Sequence, residues 1–306
     1  MLTTNACPRL RVIIPVHPPK VNFLVGFLRS LEWARRHSGS GDCEIVVSAT
    51  NHLESAYLLR ACRSLRLDFD IQMFDVQTYV QDCLMSKMVE DFLRDGVGPA
   101  MAAVKKLITL HWAAQQSDAI NLCIDADTFC LNWSDDVIRQ ITSNYEANRY
   151  FGASTSGQIY LDINQISLQS LGDVMPPCES TDLDITKIYT WFFDAPTYGG
   201  PDIRGFFGRM ADKHGSFDSY IASLKWHHFE HLMFMYYRLS RGGELIDYST
   251  MGIASIPEEL DGVSIQRIAG RYHYLPVWMA ARRYFEGPDA ACSSAWPPLL
   301  SHFDRM

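Results

Sequence analysis

The first 150 residues alternate short apolar runs with longer segments in which apolar residues recur at helical spacing. The runs predict strands at 11–16, 44–48, 69–74 and 120–124, and the longer segments predict helices at 21–36, 52–65, 86–93, 99–115 and 134–145. Such alternation requires parallel strands joined by helical crossovers. The sequence therefore predicts an α/β fold with a mainly parallel, Rossmann-like sheet and helices on both faces.

The second half of the chain does not continue this alternation. It predicts a strand at 150–153, a loop-rich aromatic stretch, one long helix at 217–239 and a short closing helix at 277–285. No segment near residue 150 has the composition of a linker. We therefore expect residues 1–150 and 151–306 to be two halves of a single domain, the second half rich in loops and helices.

Composition excludes several classes of protein. The net charge of −8 argues against a general nucleic-acid binder. No uninterrupted apolar run reaches the length of about 18 residues expected of a transmembrane helix, and the first residues lack a signal-peptide pattern. The eight cysteines form no CxxC pair, which favours reduced thiols. We expect a cytoplasmic protein, with peripheral contact to the inner face of a membrane left open.

Two carboxylates follow the fourth predicted strand. Asp125 and Asp127 are spaced one residue apart after the apolar run 120–124, and two further Asp-x-Asp pairs, at 68/70 and 182/184, lack such a run. Side chains at i and i+2 of a strand point the same way, and open α/β sheets bind ligands at the carboxyl ends of their strands. This placement predicts a site where Mg²⁺ or Mn²⁺ could link the carboxylates to a phosphate.

With these features the chain resembles glycosyltransferases of the GT-A fold, which use nucleotide-sugar donors. The resemblance rests on residues 12–15, residues 44–50, and Asp125-Ala126-Asp127 after 120–124. It implies a GT-A-like sheet, a Mn²⁺ or Mg²⁺ ion at Asp125 and Asp127, and a nucleotide-sugar-binding first half beside an acceptor-binding, catalytic second half. The implied nucleotide pocket comprises Pro15, Val16, His17, Ser48, Thr50, Asp75 and Lys106.

The resemblance also implies landmarks in the second half. The stretch 199–208 is the candidate for a glycine-containing loop and Glu230 for the catalytic base. His273 is the first candidate for a third metal ligand, and His302 is the second. The family often has Glu-Asp where this chain has Glu230 and His231, so the role of Glu230 stays open at this point. Aromatic rings can stack on a sugar and charged groups can bind an anionic one. The acceptor candidates are Trp191, Tyr198, Asp202 and Arg204.

The function predicted from these residues is metal-dependent transfer of a hexosyl or related group from a nucleotide diphosphate to a hydroxyl of a glycan or lipid-linked acceptor, as in polysaccharide biosynthesis. Two alternatives remain. In a haloacid-dehalogenase-type phosphatase, Asp125 would be the nucleophile and Asp127 the acid/base. In a non-catalytic module, the site would only bind a nucleotide sugar. The sequence leaves the donor, the stereochemistry and the oligomeric state open.

Overall fold

The computed structural model describes residues 10–38, 42–83, 85, 87–95, 100–126, 128–130, 133–172, 183–189, 196–225, 227–247 and 274–276. Four of the predicted site residues, Asp127, Trp191, His273 and His302, lie outside these residues, as does the predicted helix at 277–285.

Strands and helices alternate through most of the first half as the apolar pattern predicts, although the helix Val76–Asp82 and the strand Thr128–Cys130 were not predicted. The strands of the described part are β1 (Leu10–Pro15), β2 (Cys43–Ala49), β3 (Ile71–Asp75), β4 (Ile120–Cys123), β5 (Thr128–Cys130), β6 (Arg149–Ser154), β7 (Ile188–Tyr189), β8 (Thr197–Gly199), β9 (Glu244–Asp247) and β10 (Tyr274–Pro276). The α-helices are α1 (Val21–Ser38), α2 (His52–Ser64), α3 (Val76–Asp82), α4 (Lys87–Asp95), α5 (Ala100–Gln116), α6 (Asp135–Glu146), α7 (Gln158–Leu171), α8 (Gly200–His214), α9 (Phe217–Ser223) and α10 (Glu230–Leu239).

The central sheet has five strands in the order β3-β2-β1-β4-β8. β1 pairs in parallel with β2 and β4, β2 pairs in parallel with β3, and β8 runs antiparallel to β4. The strands β1, β2 and β4 are almost wholly buried, which explains why each appears in the sequence as a continuous apolar run. The predicted mainly parallel α/β fold is confirmed.

The order of the strands creates one special position in this sheet. From β1 the chain moves to β2 and β3 on one side, and it later returns to place β4 on the other side of β1. Open α/β sheets bind ligands in the crevice outside the carboxyl ends of strands where the order reverses in this way. That crevice lies between the end of β1 at Pro15 and the end of β4 at Cys123.

The second half contributes to the same sheet and adds a smaller one. β8 pairs with β4, and a three-stranded sheet has the order β7-β6-β9, with β6 and β9 parallel. A further antiparallel pair joins β10 to β5. The boundary proposed near residue 150 stays a prediction. None of the helices in the described ranges combines the length and the apolar character needed to cross a bilayer.

The predictions for the second half were partly wrong. The stretch 199–208 is not a glycine loop, because helix α8 begins at Gly200 with Pro201 in its first turn. The glycine inside this helix, Gly205, has a packing reason, because a Cβ there would clash with the Tyr237 hydroxyl oxygen. Helix α7 was not predicted.

The predicted long helix at 217–239 is two helices. α9 ends at Ser223, the backbone of the next residue, Leu224, is extended (φ −66°, ψ 137°), and α10 starts at Glu230. Between them, His228 donates its backbone N–H to the Lys225 carbonyl oxygen at 2.9 Å, forming a turn. The break determines where Glu230 lies, because it becomes the first residue of a helix.

The cap of α2 gives a test of the fold. The Asn51 Oδ1 atom accepts hydrogen bonds from the backbone N–H groups of Leu53 and Glu54, at 3.1 and 3.0 Å. We expect Asn51→Ala to lower the free energy of unfolding by about 1 kcal/mol, measured by urea denaturation, because two helix N–H groups lose their acceptor. Asn51→Ser should retain most of the stability, and an equal loss in both variants would contradict the capping role.

Candidate functional site

The carboxyl end of β4 places Asp125 at the crevice between β1 and β4. The Ile124 N–H donates to the Ile13 carbonyl oxygen at 2.9 Å, which continues the β1–β4 pairing to the residue before Asp125. The Thr128 hydroxyl then donates to the Asp125 carbonyl oxygen at 2.9 Å and closes a turn. The Asp125 side chain remains 47% exposed, so its carboxylate is open to a ligand in this crevice.

One lysine joins this carboxylate to a second one. The Lys106 Nζ atom lies 2.8 Å from Asp125 Oδ1 and 2.7 Å from Glu230 Oε1. The side chains of Lys106 and Glu230 are only 13% and 7% exposed. A helix of the first half and a helix of the second half are therefore connected through one ion cluster. Two carboxylates share one ammonium, so the three side chains together carry a net charge of −1.

The ionisation of this cluster follows from its charges. Burial opposes the charged form of Lys106, but Asp125 and Glu230 outweigh it and raise the pKa of the ammonium well above its ordinary value. Burial likewise favours the neutral form of Asp125, yet Lys106, with a smaller effect from Lys20, lowers the pKa of this carboxyl. Both groups are therefore charged throughout the neutral pH range.

Helix α10 delivers Glu230 from the second half. Glu230 is its first residue, and a carboxylate in the first turn is favoured by the helix dipole. The far end of α10 is fixed by Arg238, whose Nε donates to Asn148 Oδ1 at 2.9 Å and whose Nη2 donates to the Tyr145 carbonyl oxygen at 2.8 Å. Because every residue of α10 except the partly buried His231 is buried, the position of Glu230 is set by the packing of almost the whole helix.

A second lysine of α5 holds the other side of the crevice. The Lys105 Nζ atom donates to the Val16 carbonyl oxygen at 2.8 Å and lies 3.3 Å from Glu54 Oε2. The same Glu54 oxygen accepts the backbone N–H of Thr50 at 2.7 Å. These contacts tie the segments that follow β1 and β2 to α2 and α5.

The predicted nucleotide residues divide into three groups. Pro15, Val16 and His17 lie at the end of β1 beside the crevice, and the His17 side chain is 66% exposed. Thr50 follows β2, and Asp75 ends β3, where its Oδ1 accepts the Thr78 N–H as the cap of α3. Ser48 requires a correction. Its side chain is fully buried and shares a 2.7 Å hydrogen bond with Thr109, so it faces the interior rather than a ligand.

Tyr198, predicted to stack on an acceptor sugar, lies in the core. It is 1% exposed in β8, and its ring centroid lies 4.8 Å from that of Phe234. This burial corrects the expectation of an open stacking platform.

Asp202 and Arg204 lie at the other end of β4. Gly199, the last residue of β8, pairs with Ile120, the first residue of β4, so α8 begins at the amino end of that strand. Asp202 pairs with Arg238 at 3.0 Å, and Arg204 pairs with Asp118 at 2.6 Å. The structure does not bring these two residues together with Asp125, and it gives them contacts that hold helices together.

A divalent cation would find part of its ligand set at this site. The exposed Asp125 carboxylate and Glu230 are hard oxygen donors, and their net charge with Lys106 is negative. Within the described ranges, no group of three His, Cys, Asp or Glu side chains is arranged to hold a metal. Because Asp127 and His273 fall outside those ranges, a metal site that includes them stays a prediction.

Sequence reasoning missed Lys105 and Glu54. A signal for Glu54 was present, because Asn51 with an acid three residues later is the pattern of a capping box. Lys105 stands beside Lys106 in an otherwise apolar helix, and a charge in such a helix requires a partner.

Comparisons with known proteins do not identify the family of this chain. No protein-family model and no curated protein matches the chain. Among solved structures, the chain is similar to the galactosyltransferase LgtC in complex with donor and acceptor sugar analogues, at 8% identity, a TM-score of 0.47, and coverage of 97% of this chain and 96% of that one.

Two further similarities are more distant in shape. The apo bifunctional glycosyltransferase WbbM shares 11% identity at a TM-score of 0.39, over 80% of this chain and 40% of that one. The chain therefore spans less than half the length of WbbM. Mouse xyloside xylosyltransferase 1, in its apo form, shares 12% identity at a TM-score of 0.36, over 77% of this chain and 81% of that one.

The ion cluster gives a second test. We expect Lys106→Met to lower the free energy of unfolding by roughly 3 kcal/mol, because Glu230 is left as a buried, unpaired charge. Lys106→Met combined with Glu230→Gln should recover most of this loss. As the matched control, Lys187→Met removes the exposed pair with Asp184 and should cost less than about 1 kcal/mol. Urea denaturation of the wild type and the three variants measures these values, and equal losses for the two lysines would exclude a buried ion cluster.

Proposed function

We propose that this protein is a metal-dependent glycosyltransferase that moves a sugar from a nucleoside-diphosphate donor to a hydroxyl of a glycan or lipid-linked acceptor. One observation carries the proposal: an exposed carboxylate, Asp125, stands at the carboxyl end of β4, where the strand order of a mainly parallel sheet reverses. This is where open α/β sheets bind nucleotides. A GT-A-like fold and a role in polysaccharide biosynthesis are part of the same proposal.

The residues around the crevice suit the two ends of such a donor. Pro15, Val16, His17 and Thr50 border it on the β1–β2 side, where the base and ribose would lie. Asp125, joined by Asp127 and His273, would hold Mn²⁺ or Mg²⁺ on the β4 side. When bound there, the metal would neutralise the charge of the departing diphosphate as a Lewis acid.

Lys106 supplies a permanent positive charge next to Asp125. Its raised pKa keeps it protonated, and it fixes the Asp125 carboxylate through a 2.8 Å contact. A carboxylate held in one orientation is a pre-organised ligand. We therefore assign Lys106 to the positioning of Asp125 rather than to direct binding of the nucleotide.

Glu230 is the proposed base that takes the proton of the acceptor hydroxyl. Its carboxylate is 2.7 Å from Lys106, and this shared lysine places it beside the same crevice as Asp125. Removing a general base typically costs 10² to 10⁴ in rate, about the effect we expect on kcat for Glu230→Gln. If Glu230 only holds Lys106, donor binding should weaken instead and kcat should change little.

The function is tested by donor hydrolysis with a panel of nucleotide sugars, with and without Mn²⁺. We expect release of nucleoside diphosphate that requires the metal and falls at least about 100-fold in Asp125→Asn and in Asp127→Ala, because the proposed cation ligands are lost. Asp202→Asn, altered at the opposite end of β4, is the control and should retain turnover.

Other outcomes of this assay would reject the proposal. Release of phosphate from simple phosphomonoesters, with an aspartyl-phosphate trapped at Asp125, would identify the phosphatase instead. Binding of a nucleotide sugar with no turnover for any acceptor or water would identify a binding module.

A further inference from the structure

An ion pair between buried Lys105 and partly buried Glu54 lies on the β1–β2 side of the crevice, away from the cluster at Asp125. Lys105 is 3% exposed and Glu54 is 17% exposed, and their charged atoms lie 3.3 Å apart. A buried ion pair is costly to desolvate and contributes little net stability compared with an apolar pair of similar volume. Stability alone therefore gives weak reason for placing it there.

The pair has two backbone partners, one in the segment that follows β1 and one in the segment that follows β2. Lys105 Nζ donates to the Val16 carbonyl oxygen at 2.8 Å, directly after β1. Glu54 Oε2 accepts the Thr50 N–H at 2.7 Å, directly after β2. Both strands end at the same edge of the sheet, since Pro15 pairs with Ser48. The ion pair thus fixes the spacing of the two segments that leave this edge.

Lys105 and Glu54 stabilise each other's charged forms. Burial lowers the pKa of Lys105, and the Glu54 carboxylate opposes that effect. Burial favours neutral Glu54, but the hydrogen bonds from Thr50 and the charge of Lys105 outweigh it and lower the pKa of this carboxyl. The second oxygen, Glu54 Oε1, lies 3.9 Å from the exposed His17 ring. Each end of the pair therefore contacts a segment that borders the crevice.

We infer that Lys105 and Glu54 are positioning residues for nucleotide binding: they hold the segments after β1 and β2 at the separation that a base and ribose require. The inference rests on the proposed function, because it takes these segments as the nucleotide half of the donor site. Neither side chain needs to touch the ligand. Hydrogen bonds that are made before binding reduce the ordering cost that binding would otherwise incur.

The chain provides a matched control at the opposite end of the same two strands. Arg11 and Glu44 face each other in the β1–β2 register, and Arg11 Nε donates to Glu44 Oε2 at 2.8 Å. The Arg11 and Glu44 side chains are 7% and 31% exposed. This pair joins the same strands at their amino ends, so its loss affects stability without altering the proposed nucleotide pocket.

The experiment measures binding of UDP, GDP and CMP, each with Mn²⁺, by isothermal titration calorimetry. The variants are Lys105→Met combined with Glu54→Gln, and Glu44→Gln as the control. The double variant removes both charges, so no unpaired charge remains buried. We expect its affinity for the nucleotide that the wild type binds best to fall at least about tenfold. The control should stay within about twofold of the wild type.

A second readout separates positioning from a general loss of stability. In donor hydrolysis, the double variant should raise the KM for the donor while kcat changes little, because the groups at Asp125 are untouched. Thermal unfolding of every variant establishes that binding is measured on folded protein. If the double variant does not fold, Glu54→Gln alone is tested, and its nucleotide affinity should fall by the same factor of at least about ten.

The outcomes test the positioning role of Lys105 and Glu54 separately from the proposed glycosyltransferase function. Nucleotide affinity within about twofold of the wild type in the folded variant would overturn the positioning role and leave the proposed function intact. An equal loss of affinity in Glu44→Gln would also overturn it. A wild-type protein that binds none of the three nucleotides, with or without Mn²⁺, would overturn the proposed function and this inference together.

Discussion

The ammonium of Lys106 is the interaction on which the candidate site depends. It connects the end of β4 in the first half of the chain to the start of α10 in the second, through contacts of 2.8 and 2.7 Å. Both carboxylates together offset the cost of burying the Lys106 ammonium. Without this lysine, the nearly buried Glu230 would lack its compensating charge. The site exists because three elements that are distant in the sequence place opposite charges at one point.

The sequence predicted the strand that positions the site better than it predicted the side-chain contacts within the site. Five consecutive buried residues, 120–124, precede Asp125, and a run of that kind ends at the carboxyl edge of a sheet whichever helices surround it. The partnership of Lys106 with Glu230 has no local signal. This partnership depends on the break between α9 and α10. The sequence does not reveal the break, because the His and aromatic residues of 217–239 fit a single buried helix throughout. Local periodicity cannot show where a chain turns when both sides of the turn are buried.

The acceptor predictions at Tyr198, Asp202 and Arg204 were wrong for a related reason. Tyr198 and Asp202 have the side-chain chemistry that binds sugars, but type alone does not tell which edge of the sheet a residue reaches. The antiparallel pairing of β8 with β4 decides this, since it brings Gly199 next to Ile120 and so starts α8 at the amino end of β4. A parallel β8 would have placed the same residues beside Asp125. Strand direction in the second half, which lacks the βα alternation, was not predictable from its pattern.

The two adjacent lysines of α5 give the crevice an uneven charge. Lys105 is paired one to one with Glu54, so the β1–β2 side carries no net charge from these groups. Lys106 is shared by Asp125 and Glu230, so these three groups on the β4 side carry a net charge of −1 and include an exposed carboxylate. An anionic diphosphate would be repelled at the β4 side unless a cation lay between the charges. An uncharged base and ribose on the β1–β2 side would not be repelled. The charge pattern of one helix therefore favours a single orientation for a nucleotide in this crevice, with its phosphates and a divalent cation at β4.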